Sequence, residues 1–446
     1  MITSNNRRRR GGLLDRVTCP HCWEHFAPEK SLWISEHQDL LGDQRLGADQ
    51  QQRFLPTRFT VAGEALDAKG FACQQLACPH CHLAVPRQFL ELEPLFLSIF
   101  GAPASGKSYL LAAMTWELRR ILSLDFAISF SDADPVLNRV LNDYEESLFS
   151  SSKAEDLVPL TDLIRKTEEQ GELYDMVSFG SQAVSYPRPF VFAMQPRPGH
   201  PHALKAATYS RVVCLYDNAG ESFQPGKDTT ANPVTRHMAQ SRALFFVFDP
   251  TQDSRFRKHC DARLGPASAA KLSRQEPILQ EAAARIRRHS GLKQTDKHNR
   301  PLIVILTKCD AWLHLTGEDP PAEPWKRVGA GQLSDQTIDA PLHALDTNIV
   351  DRRSQLVRNL LLAHCPEIVT AAEGFANQVT YIPVSAVGWE TQVDQEKGAL
   401  WIRPEDAAPH WVTVPFLYAL CRSVPGLIPS IMRKKTIAPP GNGRER

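Results

Sequence analysis

The sequence predicts an α/β fold: a mainly parallel sheet flanked by helices, carrying helical insertions and preceded by a small cysteine-bearing module. Three observations carry this expectation. From Leu95 onward, short continuous apolar runs alternate with helical patterns, as buried parallel strands and their crossover helices do. The clear runs are Leu95–Phe100, Val212–Tyr216, Ala243–Phe248 and Leu302–Leu306. Tyr381-Ile382-Pro383-Val384 is a weaker fifth, and Phe190–Met194 reads as an edge strand. Ahead of them, residues 13–93 hold two C-x-x-C pairs and little regular periodicity. Finally, 446 residues with 42% apolar and 23% charged side chains make an ordinary globular composition, enough for about two or three domains.

Charge and hydropathy exclude several classes. Lys+Arg is 51 against 50 Asp+Glu, a net charge of +1, so nothing in the whole-chain balance favours nucleic acid or an anionic membrane. No apolar run approaches the ~18–20 residues of a membrane span. Arg7–Arg10 is followed by Gly11-Gly12-Leu13-Leu14-Asp15 with no apolar core, unlike a secretory or twin-arginine signal. The expected setting is cytoplasmic, without membrane insertion. The expected order is a disordered basic arm (1–12), the cysteine module (13–93), an α/β domain (94–430) and a basic flexible tail (431–446). Insertions are expected at about 134–188, 251–300 and 311–375. Within the second, Gln275–Arg288 reads as a helix whose arginines face solvent.

The cysteine module rests on Cys19-Pro20-His21-Cys22 and Cys78-Pro79-His80-Cys81. Each pair can set two thiolates on one metal, and two pairs complete the tetrahedral sulfur set that suits Zn²⁺. The pairs are too far apart for a compact finger, so the chain between them must fold back as a ribbon with an insertion. Four thiolates leave no open position, so the zinc is structural. A redox C-x-x-C would need a thioredoxin-like βαβ unit, and none surrounds either pair. His21 and His80 lie inside the pairs, where ligating the same ion would strain them; His25 and His82 are the possible substitutes. Cys73 is a spare thiol, and Trp23 and Phe26 read as a small core.

The first strand of the α/β region leads into Gly101-Ala102-Pro103-Ala104-Ser105-Gly106-Lys107-Ser108, which fits G-x-x-x-x-G-K-[ST] without mismatch. The glycines let backbone N–H groups turn inward around phosphate oxygens. Lys107 would reach the terminal phosphates and the Ser108 hydroxyl would ligate Mg²⁺. The nucleotide-binding set here is Gly101, Ala104, Ser105, Gly106, Lys107, Ser108 and Tyr109. A helix follows, with Leu111, Met114, Leu118 and Leu122 on its core face.

Ligands of open parallel sheets bind beyond the carboxyl ends of the strands, so the residues just past each run matter. After Val212–Tyr216 comes Asp217-Asn218-Ala219-Gly220-Glu221. Asp217 can hold Mg²⁺, and Gly220 lets a backbone N–H approach a γ-phosphate. After Leu302–Leu306 comes Thr307-Lys308-Cys309-Asp310. The Asp310 carboxylate can accept two hydrogen bonds from guanine, where adenine offers no such pair. The Lys308 stem can lie along the base. After Tyr381–Val384 come Ser385 and Ala386, small enough for backbone N–H groups to approach the base oxygen. Asp249, after Ala243–Phe248, reads as a turn residue.

In order, G-x-x-x-x-G-K-S, D-x-x-G, T-K-x-D and S-A resemble the guanine-nucleotide set of P-loop GTPases of the translation-factor and Ras-like (TRAFAC) class, over roughly residues 95–425. The resemblance implies that Gly101–Ser108 binds the phosphates of GTP or GDP with Mg²⁺. It implies that Asp217 and Gly220 sense the γ-phosphate, that Thr307, Lys308 and Asp310 read guanine, and that Ser385 and Ala386 support the base. Lys107, Asp217, Gly220 and Glu221 become the catalytic set. With the zinc-ribbon-like module and the insertions, the chain resembles the bacterial double-GTPase group, which implies work beside a second GTPase in a multi-protein conflict system.

Two departures stand out. Glu221 occupies the position where many such GTPases carry the water-orienting Gln, with Gln224 nearby, so hydrolysis is expected to be slow or partner-dependent. The first-switch Thr falls on Thr167, with Thr161 as the other candidate. The leading expectation is a GTP-hydrolysing switch. The alternatives are a non-catalytic guanine-nucleotide sensor or scaffold, and a nucleic-acid-associated GTPase using the zinc module and Arg7–Arg10. An ATPase is disfavoured by Asp310.

Overall fold

The computed structural model describes residues 12–150, 155–164, 173–218, 223, 236–260, 273–328, 342–393 and 400–431. Seven strands form its central sheet: β1 (Glu93–Gly101), β2 (Ile128–Asp132), β3 (Phe190–Pro196), β4 (Arg211–Asp217), β5 (Ala243–Phe248), β6 (Leu302–Leu306) and β7 (Val379–Pro383). Their spatial order is β2-β3-β4-β1-β5-β6-β7. β4, β1, β5, β6 and β7 run parallel, while β3 is antiparallel to both its neighbours. The result is a mixed α/β architecture on a large, mostly parallel sheet. Phe190–Met194 is therefore not the edge: Ile128–Asp132 covers it, pairing Phe130 with Met194.

Helix α1 (Lys107–Leu124) follows β1 directly and buries Leu111, Met114, Leu118 and Leu122 completely. Helix α2 (Pro135–Phe149) starts with proline at its first position, and Asp134 caps it by accepting from Val136 N and Leu137 N. Helix α3 (Arg236–Gln240) precedes β5, and α4 (Glu276–Ser290) precedes β6. Helices α5 (Thr347–His364) and α6 (Pro366–Phe375) lead into β7, and α7 (Val414–Ser423) closes the core. The expectation for the α4 arginines needs correcting at Arg285. It is 1% exposed, bonded to Glu281 at 2.7 Å, with its guanidinium 5.8 Å from the Phe223 ring. The region after β6 is not wholly helical: Trp325–Val328 pairs antiparallel with Leu342–Asp346, which pairs parallel with Ser430–Ile431.

The module ahead of β1 is built mainly from short strands and tight turns, with two short helical turns at Pro28–Lys30 and Gln88–Glu91. It covers one face of the sheet. Along β4, Val213 and Leu215 join the core cluster that contains α1, whereas Val212, Cys214 and Tyr216 join the one that contains Trp23 and the knuckle cysteines. That period-two split explains why β4 is apolar throughout: helices bury one side and the cysteine module the other. Residues 1–11 and 432–446, where the arm and the tail were expected, lie outside the described residues.

Candidate functional site

Because β4, β1, β5, β6 and β7 are parallel, their carboxyl ends share one edge of the sheet. In the register, Ile99 lies opposite Asp217, Gly101 opposite Val247 and Leu306 opposite Pro383. The loop Gly101–Ser108 leaves β1 at this edge. A Cβ on Gly101 would sit 2.3 Å from the Val247 carbonyl oxygen, so only glycine allows β1 and β5 to approach this closely. Ala104 (φ 59°) and Gly106 (φ 88°) are both left-handed, and Gly106 opens α1. This alternation curls the backbone into a concavity that suits anions.

Lys107 is buried, its ammonium donating to the carbonyls of Ala102 (2.8 Å) and Gly101 (3.2 Å). The Ser108 hydroxyl donates to Asp217 Oδ2 at 2.9 Å. The two residues assigned to Mg²⁺ thus meet, with oxygen ligands of the hard type that the ion takes. Tyr109 donates its hydroxyl to the Leu160 carbonyl. Thr161, exposed, turns its hydroxyl to Asp162 at 3.2 Å. Thr167, Gly220, Glu221 and Gln224 lie outside the described residues.

The end of β6 is tied to the loop: Thr307 Oγ1 donates to the Ser105 carbonyl at 2.8 Å. Lys308 adopts φ 55° and its ammonium meets Asp249 Oδ2 at 2.6 Å. Asp249 is fully buried and also accepts from Thr251 N and Oγ1, so it is a turn residue and the partner of Lys308 at once. Sequence alone had no means of finding this pair, which arises only when β5 and β6 lie side by side. Asp310 accepts from Ser385 Oγ at 2.6 Å, and Cys309 N donates to the Val384 carbonyl at 3.1 Å. Ala386 packs half-buried on the core next to Ser385.

A second site sits in the module. Cys19, Cys22, Cys78 and Cys81 are buried and their sulfurs lie within 4.8 Å of one another. The Cys19–Cys81 and Cys22–Cys78 separations are 3.7 Å each. Zinc–sulfur bonds of ~2.3 Å in a tetrahedron require sulfurs about 3.8 Å apart, so the set fits zinc. The two halves repeat each other. His21 N and His80 N donate to Cys19 and Cys78 sulfurs, at 3.4 and 3.3 Å. Trp23 and His82 return their N–H groups to the Cys19 and Cys78 carbonyls from left-handed backbone. His25 and His82 direct Nδ1 to Thr18 (2.9 Å) and Asp43 (2.8 Å) instead. Cys73 stands outside the cluster.

Sequence reasoning also missed the group that lies between the two sites. His237 is fully buried, and desolvation pulls its pKa down to about 3, so the ring is neutral. It stacks on Tyr216 at 4.5 Å, and Tyr216 in turn touches the first cysteine knuckle through Trp23. Among the described residues, no helix is long and apolar enough to cross a membrane.

No family model matches the chain. Over 399 residues it is 24% identical to SaeC of Mycolicibacterium smegmatis, a protein with a proposed role in ESX-1 scaffolding and assembly; the match covers 83% of this chain and 91% of that one. A solved structure of Sup35 complexed with GDP is similar at 12% identity and a TM-score of 0.22, over 68% of this chain. The match spans 41% of the Sup35 chain.

Proposed function

We propose that the chain is a Mg²⁺-dependent guanine-nucleotide-binding protein that hydrolyses GTP and works as a switch. The observation that carries this reading is the convergence of Gly101–Ser108, Asp217, Thr307–Asp310 and Ser385 on one edge of a parallel sheet, with Ser108 bonded to Asp217 at 2.9 Å. The curled loop offers backbone N–H groups to phosphates, and the Lys107 ammonium neutralises their charge. Ser108 and Asp217 would hold Mg²⁺, which supplies charge neutralisation between the outer phosphates when bound. Asp310 would accept from guanine. Gly220 and Glu221 belong to this reading as the γ-phosphate contact and the water-facing residue, and Thr167 as the first-switch ligand. Cys19, Cys22, Cys78 and Cys81 would hold a structural Zn²⁺. A cytoplasmic setting with reduced thiols is part of the same reading.

A second reading is favoured by the SaeC likeness: a nucleotide-regulated scaffold in the assembly of a multi-protein system, without turnover of its own. The double-GTPase resemblance and its conflict-system setting point likewise to partner proteins, a second GTPase among them. The experiment that separates the readings measures binding of GTP and ATP with Mg²⁺, then single-turnover hydrolysis of both. Tight GTP binding with hydrolysis supports the switch. Tight binding without hydrolysis supports the scaffold or a catalyst that waits for a partner's residue, and repeating the assay with partner proteins added separates those two. Equal binding of ATP removes the guanine-specific switch, and no binding of either nucleotide removes both readings.

A further inference from the structure

The cysteine module and the candidate nucleotide site are joined by a continuous set of buried contacts. Tyr216 is the residue before Asp217 and is fully buried. Its hydroxyl accepts from Trp23 Nε1 at 3.1 Å and donates to the Pro20 carbonyl at 2.5 Å. Pro20 lies within the Cys19–Cys22 knuckle, so two metal-ligand positions bracket the acceptor of that bond.

On the other side of Asp217, Asn218 is pinned as firmly. Its amide nitrogen donates to the Ile99 carbonyl at 2.9 Å, on the strand that leads into the phosphate loop. Its Oδ1 is therefore an acceptor for His237 Nε2 at 2.9 Å. A neutral imidazole with its proton on Nε2 must accept at Nδ1, and the Ser98 hydroxyl stands 2.6 Å from it. His237 closes the set by stacking on Tyr216 with the rings 7° from parallel. It also approaches the Trp23 ring at 5.6 Å. Glu24, just after the knuckle, pairs with Arg236 at the start of α3.

We propose that the first cysteine knuckle is a positioning element for the candidate Mg²⁺ carboxylate: Pro20 and Trp23 fix Tyr216, His237 links Tyr216 to Asn218, and Asp217 is held between them. The inference rests on the guanine-nucleotide reading. Asp217 sits at the mouth of the phosphate loop, and an ion site loses affinity when a ligand is free to drift. Plain core packing would produce the same contacts but a different response to mutation. It would lower stability without altering the Mg²⁺ requirement.

The test uses the full-length, zinc-loaded protein, a fluorescent N-methylanthraniloyl GTP probe and a Mg²⁺ titration. Tyr216→Phe removes the hydroxyl and keeps the ring, and Trp23→Phe removes the indole donor. Ile286→Val, which trims a buried side chain in the other core cluster, is the control for general destabilisation. Zinc content and melting are measured on each. The expected result is that both knuckle-side variants keep zinc and keep probe affinity in EDTA. Their half-saturating Mg²⁺ rises about fivefold, the effect of one lost buried hydrogen bond. An unchanged Mg²⁺ requirement overturns the positioning role, as does an equal rise in Ile286→Val. Probe binding absent from the wild type, with or without Mg²⁺, overturns the nucleotide reading and this inference with it.

Discussion

Ser385 donates its hydroxyl to the Asp310 carboxylate at 2.6 Å, joining loops that follow neighbouring strands of the sheet. A second bond, Cys309 N to the Val384 carbonyl at 3.1 Å, fixes the same two loops through the backbone. The carboxylate assigned to guanine is therefore oriented before any base arrives. Asp310→Asn replaces an acceptor oxygen with a donor amide, leaving one guanine donor unmatched. GTP should lose about 10–100-fold in affinity relative to ATP, as expected for an unpaired buried polar group. Competition between the two nucleotides reads this directly. Unaltered selectivity removes Asp310 from base recognition.

Gly101 sets the distance between β1 and β5, since an added Cβ would meet the Val247 carbonyl oxygen at 2.3 Å. Gly101→Ala should cost roughly 1–3 kcal/mol of stability, the range for overpacking a close contact. Urea denaturation checks the size. Lys107→Ala is a different kind of change: it removes the buried ammonium and should abolish nucleotide binding or turnover while leaving the fold. Turnover that persists in that variant excludes the phosphate role.

The purified protein should carry about one Zn²⁺ per chain, because the four sulfurs form a single set. Stripping the metal with a strong chelator should lower the melting temperature, and Cys22→Ser should lower metal content with it. Elemental analysis settles occupancy. A folded, metal-free protein with unchanged melting would falsify the zinc centre.

Burial lowers the pKa of His298 from 6.5 to about 3. Between those values the unfolded chain binds the proton that the folded chain refuses. Stability from this group is complete above pH ~6.5 and falls as the pH drops toward 3, by at most about 1.4 kcal/mol per pH unit. The ring stands edge-on to Phe375 at 4.2 Å, in surroundings that suit another aromatic ring. His298→Phe should therefore flatten the loss of stability between pH 6.5 and 4. Urea midpoints across that range test it, and an identical slope in the variant refutes the assignment.

Strands β1, β4, β5, β6 and β7 are legible in the sequence because strands covered on both faces need continuous apolar runs. Ile128–Asp132 is hidden for the complementary reason: it is an edge strand, with Ser129 and Ser131 interrupting its apolar positions. Phe190–Met194 resembles an edge only because the strand covering it leaves so faint a pattern. Arg285 departs from its expected solvent-facing place because helical periodicity cannot anticipate a carboxylate one turn away and an aromatic ring from another segment. At the candidate site, local motifs announce the Gly101–Ser108 loop and the cysteine pairs, whose proposed chemistry depends on spacing within a few residues. Asp249 beside Lys308, and His237 between Tyr216 and Asn218, come from tertiary pairing and leave no periodic trace.

The docking of Trp23 against Tyr216 also constrains how the chain is made. Both cysteine pairs leave the ribosome well before Tyr216 is synthesised, so the cysteine module can assemble early while its indole still lacks its partner strand. At ~5–20 residues per second the wait is on the order of ten seconds, during which an apolar surface meant for β4 is open to the wrong neighbours. Cotranslational chaperone capture at that stage, and aggregation of nascent chains truncated before β4, are the expected consequences of the same geometry. The first domain to acquire its shape then serves as the mould on which a central strand of the second is laid down.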